Sequence, residues 1–253
     1  MRRGVHNILT DLALAWRLLT IIPLPFIPQD FNRPAGRAAA YYPLVGLILG
    51  LLLAGTDWIL ALFLPNGLAA ALLLALWAGL TGLLHLDGLM DSCDGLLPPR
   101  DPAHRLEIMK DSRVGAFGVV GVVLLLLLKF NALAALPVGD RLPGLIVAPT
   151  LARWAMTWAM ARYPLARREG ASVFFSAGLG WRQVIIASVI AVAVALPLLG
   201  WLGGLLVGVT WLVTTLIAGL AMARIAGLTG DVYGAICEVT ETILLTILIT
   251  RGI

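Results

Sequence analysis

Apolar runs of about twenty residues recur from residue 40 to residue 250, with only short polar connections between them. A helix rises 1.5 Å per residue and a bilayer core is about 30 Å thick, so roughly 20 apolar residues make one crossing. On that criterion spans fall near 40–64, 68–86, 115–136, 142–161, 183–199, 203–223 and 228–250. Lipid offers no partner for backbone N–H and C=O groups, which selects helices that satisfy them internally. The expected fold is an all-α polytopic membrane protein of about seven transmembrane helices. Residues 1–253 then form a single integral membrane domain, because the connections leave no room for a soluble module. Only 13% of residues are charged, against roughly a quarter in soluble domains, which agrees.

The net charge of +4 does not point to nucleic acid, because the basic residues are scattered in twos and threes beside apolar segments. Leu9, Leu12, Trp16 and Leu19 share one helical face with Asp11 and Arg17 off it, which predicts an interfacial amphipathic helix. Residues 8–22 are expected to stay in the mature protein, since Asp11 and Arg17 interrupt the run and no small-residue cleavage site follows. Arginines lie on both sides of this helix, at Arg2 and Arg3 and at Arg33 and Arg37, so it is expected on the cytoplasmic surface of the cell (inner) membrane. The connections at 65–67 and at Gly200 carry no charge, and Asp140 and Arg141 offer one of each sign. The alternate connections hold Arg100, Arg105, Lys110 and Arg113, then Arg162, Arg167, Arg168 and Arg182, then Arg224, and are expected to be cytoplasmic. Cys93 and Cys237 have no metal-ligand spacing and are expected to be free thiols.

Six of the 14 acidic residues lie between Asp87 and Asp111. Asp87, Asp91 and Asp94 are spaced i, i+4, i+7, one stripe of a helix continuing out of span 68–86. Gly95, Pro98 and Pro99 break that helix, and Asp101-Pro102 supplies an N-cap and first-turn proline for a second, carrying Glu107 and Asp111 at i, i+4. The expectation is a cytoplasmic Asp-rich helix-turn-helix with two acidic faces. Like charges at this spacing destabilise a bare helix, and a bound cation reverses that cost. Oxygen ligands without matching His or Cys select Mg²⁺, Mn²⁺ or Ca²⁺ over zinc. A solvated loop whose acids balance nearby Arg and Lys is the plainer alternative. Gly88 and Gly95 mark either close approach of a phosphate or of another backbone, or plain packing positions. His85, one residue off the stripe, reads as a helix-end polar residue or a substrate contact.

Arg153 lies inside a span, where a charge costs about 2.5–3.5 kcal/mol, so it should face the bundle interior and either a carboxylate or a substrate phosphate. Lys129, nearer a span end, is expected to snorkel. In the last span Asp231 and Glu238 share a face, with Glu241 about 80° round, so this face is expected to line a cavity. The opening Thr229-Gly230-Asp231 suits either a helix cap or an approach to phosphate or metal.

HLDGLMDSCDGL at 85–96, RLEIMKDSRVGAFG at 105–118, LLTIIPLP at 18–25, YYPLVGLILG at 41–50 and TGDVYGA at 229–235 together resemble the cobalamin synthase family. The resemblance implies a Mg²⁺-dependent transferase in which a hydroxyl of α-ribazole, or of its 5′-phosphate, attacks adenosylcobinamide-GDP and releases GMP. It implies metal at Asp87, Asp91, Asp94 and Asp111, with Glu107 on metal or a ligand water. Lys110, Arg113 and Arg153 would meet phosphate charge, and Asp94 or Asp111 would take the hydroxyl proton. Asp231, Glu238 and His85 would contact substrate. Cys93 stands where the family is expected to have a small residue, off the acidic stripe. The partners implied are the corrinoid and nucleoside substrates and the bilayer, with a homo-oligomer or a complex of pathway enzymes plausible.

Two other membrane transferase classes use Asp-rich metal sites. CDP-alcohol phosphotransferases need an Ala-Arg pair after the Asp-Gly, whereas Asp94-Gly95 runs into Leu96-Leu97-Pro98; prenyltransferases need an Asn-x-x-x-Asp-x-x-x-Asp block that is absent. A cation transporter, the reading from a different class, would place its site near the midplane, often between repeats, and no repeat is evident.

Overall fold

The computed structural model describes residues 2–24, 34–136, 138–167, 174 and 176–249. Arg33 and Arg168 lie outside the described residues, as do the side chains of Arg2, Arg3 and Asp140. The described residues are helical throughout: α1 (Arg2–Leu19), a 3₁₀ helix (Ala35–Tyr41), α2 (Tyr42–Ala61), α3 (Asn66–Leu80), α4 (Leu84–Leu96), α5 (Pro102–Ile108), α6 (Ala116–Ala135), α7 (Val138–Arg162), α8 (Trp181–Leu199), α9 (Trp201–Ile225) and α10 (Gly230–Ile249).

Five elements are long and apolar enough to cross a membrane, the 3₁₀ helix with α2, then α6, α8, α9 and α10; a sixth crossing results if α3 and α4 form one broken span. The chain is thus a multi-pass membrane protein. The expected seventh crossing was α7, which runs 25 residues but includes Pro143, Pro149 and the buried Arg141 and Arg153. It meets protein rather than lipid, so its sequence did not have to be uniformly apolar. Among the five, four have only 28–39% of an 18-residue apolar stretch buried, against 72% for α10. Exposed Leu124, Leu128, Ile185, Val189, Leu212 and Leu216 give α6, α8 and α9 an apolar outer surface for lipid.

The centre of the bundle is α7 packed against α2 and α10. Close approach of α2 and α7 requires small residues: a methyl group on Gly50 would sit 2.6 Å from the Leu145 carbonyl oxygen. Helices in lipid associate through such packing, since apolar side chains gain little by leaving an apolar solvent. Helix α1 falls short of the apolarity of a span. Its Ala13, Trp16 and Leu19 are buried, and Trp16 Nε1–H donates to the Ile22 carbonyl at 2.9 Å, fixing the turn that follows.

The expected straight continuation of span 68–86 into the acidic stripe does not occur. Gly82 and Leu83 both adopt φ +61°, and α4 leaves α3 at 87°. A left-handed leucine is costly, and the break turns α4 across α10 and α6 rather than outward.

Candidate functional site

Helices α4 and α10 meet almost backbone to backbone. A methyl on Gly88 would lie 2.9 Å from the Asp231 carbonyl oxygen, and one on Gly234 would lie 3.0 Å from that of His85. Gly88 therefore admits a neighbouring backbone, and Gly95 faces the Met109 side chain instead, so both are packing positions. The consequence is that Asp231 of α10 joins the Asp87 and Asp91 edge of α4. Asp231, Asp87 and Asp94 all press negative charge on Asp91, and Arg167 supplies the opposing charge.

Arg167, which the sequence offered only as one basic loop residue among several, belongs to this site. The loop after α7 is tied to the one before α10: Ala166 N–H donates to the Leu228 carbonyl, and Leu228 N–H to that of Pro164, each at 2.9 Å. Arg167 Nη2 donates to the Leu106 carbonyl at 2.6 Å, which anchors it beside α5. Periodicity carries no signal for this, because the bridge joins segments distant in sequence. At the start of α10 the Thr229 hydroxyl donates to Asp231 Oδ2 at 3.0 Å and accepts the Val232 N–H at 3.4 Å, so Thr229 is a cap that also orients the carboxylate.

The remaining acids of the cluster have other partners. Asp94 accepts from Gly115 N–H at 2.8 Å and Gly118 N–H at 2.9 Å, so both oxygens cap the first turn of α6. The anionic side chain also opposes the positive end of that helix. Asp101 caps α5 through His104 N–H at 3.0 Å, as the sequence predicts. Helix α5 stops at Ile108, so Glu107 and Asp111 do not share the expected helical face. Glu107 is exposed beside His104 at 3.3 Å. Asp111 takes Arg113 Nε–H at 2.9 Å, and this guanidinium holds its carboxyl below the usual carboxylate range. Lys110 is exposed. Arg105, by contrast, is buried and donates to the Gly95 and Leu96 carbonyls at 2.7 Å each and to Arg100 at 2.8 Å, clamping the turn between α4 and α5.

Deeper in the bundle lies a second charged group. Lys129, expected to snorkel, is instead 2% exposed; it pairs with Glu238 at 2.9 Å and with Glu241, and lies 4.1 Å from the Trp77 ring centroid. Arg153 faces the interior and finds a carboxylate, Glu241. Arg153 Nη2 also lies 3.4 Å from His85 Nδ1, and Cys237 Sγ lies 3.5 Å from the same nitrogen. His85 thus links the two groups, since it is buried on α4 and lines a cavity of about 400 Å³ with Asp87, Asp231, Tyr233 and Arg17. Cys93 and Cys237 are free thiols.

The chemistry of the Asp87, Asp91 and Asp231 face fits a hard divalent cation, being three carboxylates in mutual repulsion without thiolate or imidazole among them. Among the described residues no three His, Cys, Asp or Glu side chains converge closely enough to hold an ion in this conformation.

Comparison with known proteins gives consistent matches over nearly the whole chain. Adenosylcobinamide-GDP ribazoletransferase of Geotalea daltonii is 42% identical over 94% of this chain and 96% of that protein. The protein of the same name from Desulforamulus reducens is 41% identical over 92% and 93%, and that from Deinococcus radiodurans 42% over 92% and 83%. No solved structure matches. The family model described as Cobalamin-5-phosphate synthase covers residues 11–249, and the chain belongs to that family.

Proposed function

We propose that this chain joins adenosylcobinamide-GDP to α-ribazole, or to its 5′-phosphate, at the face formed by Asp87, Asp91 and Asp231, with Mg²⁺ as cofactor. The observation that supports the reading is the electrostatic coupling of three carboxylates of α4 and α10 beside a cavity, in a chain whose relatives bear the ribazoletransferase name. Bound there, Mg²⁺ supplies charge neutralisation for a diphosphate.

In the reaction a hydroxyl oxygen of the nucleoside forms a new bond to the phosphorus on the cobinamide side, and the bond from that phosphorus to the GMP oxygen breaks. GMP leaves with the bonding electrons. The hydroxyl proton passes to a carboxylate, for which Asp87 is the candidate, since it is exposed and lines the cavity. Asp94, with both oxygens already accepting, is assigned to positioning. Arg167, Lys110 and Arg113 supply positive charge for phosphate oxygens, with Asp111 orienting Arg113. Arg153, paired with Glu241, holds His85 from behind, and Glu238 holds Lys129 in the interior. The basic residues Arg100, Arg105, Lys110, Arg113 and Arg224 around the reactive face support a reading in which it lies on the cytoplasmic side of the cell membrane.

Detergent-purified protein incubated with adenosylcobinamide-GDP and α-ribazole should release GMP with Mg²⁺ and none with EDTA. Release insensitive to chelation removes the metal from the proposal, and no release from folded protein removes the reaction.

A further inference from the structure

The cavity between α1, α2, α4, α7 and α10 has a largely apolar wall that includes Leu18, Leu19, Tyr42, Met156 and Met160. Two polar atoms of its lining residues are buried without a protein partner, His85 Nε2 and the Tyr233 hydroxyl. The tautomer of His85 follows from its other nitrogen. Arg153 has only donors to offer, so Nδ1 accepts and the ring proton sits on Nε2. Two buried donors thus belong to residues that line one cavity, and leaving such groups unpaired is costly. A ligand bearing oxygen acceptors relieves that cost.

We propose that this cavity is the α-ribazole site, a deepening that rests on the reaction proposed above. The flat aromatic base lies against Tyr42, Met156 and Met160, whose polarizable sulfurs suit a ring face. His85 Nε2–H and the Tyr233 hydroxyl bond the sugar oxygens. Asp87 and Asp231 belong to the same lining, so a nucleoside seated this way brings a hydroxyl to the acidic face. Size separates the substrates. At about 400 Å³ the cavity is near the small end of the roughly 300–1,000 Å³ of ligand pockets, enough for a one-base nucleoside and too small for a corrinoid macrocycle with its side chains. The corrinoid diphosphate therefore reacts from the open side.

Steady-state GMP release, with each substrate varied in turn, tests this. Met160→Trp fills the cavity and should raise KM for α-ribazole about tenfold or more while moving KM for adenosylcobinamide-GDP less than about twofold. Tyr233→Phe, which removes one hydroxyl and keeps the packing, should raise the α-ribazole KM about fivefold with the same selectivity. Equilibrium dialysis of α-ribazole onto the wild type without corrinoid should give saturable binding that Tyr233→Phe weakens. Equal or greater change in the corrinoid KM, or an unchanged α-ribazole KM in both variants, overturns the site while leaving the reaction standing. A phospholipid that native mass spectrometry finds retained under saturating α-ribazole overturns it in favour of a lipid occupant. Absence of GMP from the folded wild type would instead remove the reaction itself.

Discussion

Two sets of acids share α10 about two turns apart, and they exist under opposite electrostatics. Glu238 and Glu241 are buried and matched by Lys129 and Arg153, two negative charges against two positive. Asp231 sits with Asp87 and Asp91, three negative charges with Arg167 as their opposing base. A charge far from water persists only when it is paired, so the inner set reads as part of the scaffold. An excess of like charge at a cavity is relieved by a bound proton or by a cation from outside the chain, which suits the other set to the reactive role proposed above. Residue type does not distinguish them, since both are carboxylates on one helix.

The comparison breaks most directly at its reactive end. Asp91→Asn should lower turnover by about 10³-fold or more without altering membrane insertion or helical content, measured as GMP release and circular dichroism. Near-wild-type activity there would move the site off this face. At the paired end, Glu241→Gln strands Arg153, leaves Lys129 with Glu238 alone, and should cost about 3–5 kcal/mol of stability, read as loss of thermal stability in detergent. The double variant Lys129→Met with Glu238→Gln removes one charge of each sign and should cost less than Glu241→Gln; a larger cost would mean that the group is not a balanced network. Asp94→Ala sharpens the boundary between the two roles. Loss of the α6 cap should cost about 1–2 kcal/mol, with a smaller drop in turnover than Asp91→Asn. The smallest effect belongs to Asp111→Asn, whose Arg113 partner is 88% exposed, so that water already screens the pair and thermal stability in detergent should stay unchanged.

Much of the reactive end was legible from spacing. The i, i+4, i+7 register of Asp87, Asp91 and Asp94 made an acidic stripe visible, and Asp101-Pro102 announced its helix start correctly. The limits of that reading came from turns. Gly79 and Gly82 admit a turn in residues 79–83 but do not announce an 87° bend with a left-handed leucine, and this bend hands Asp91 to α10 while Asp94 turns to the end of α6. Arg167 and Arg105 were legible only as cytoplasmic charge, because hydrogen bonds to distant carbonyls leave no periodic trace. Lys129 shows the same limit: a lysine near a span end suggests snorkelling, and only the packing of α6 against α10 reveals two carboxylates waiting inside.

The amino-acid sequence by itself determined the solvent, the helical class, the density of acid around α4 and the family, since each rests on composition, local period or motif. Tertiary structure alone decided which acids are paired and which are not. Pairing depends on the approach of helices distant in the chain, here permitted by Gly88 and Gly234, and Coulomb interaction follows distance in space rather than distance in sequence.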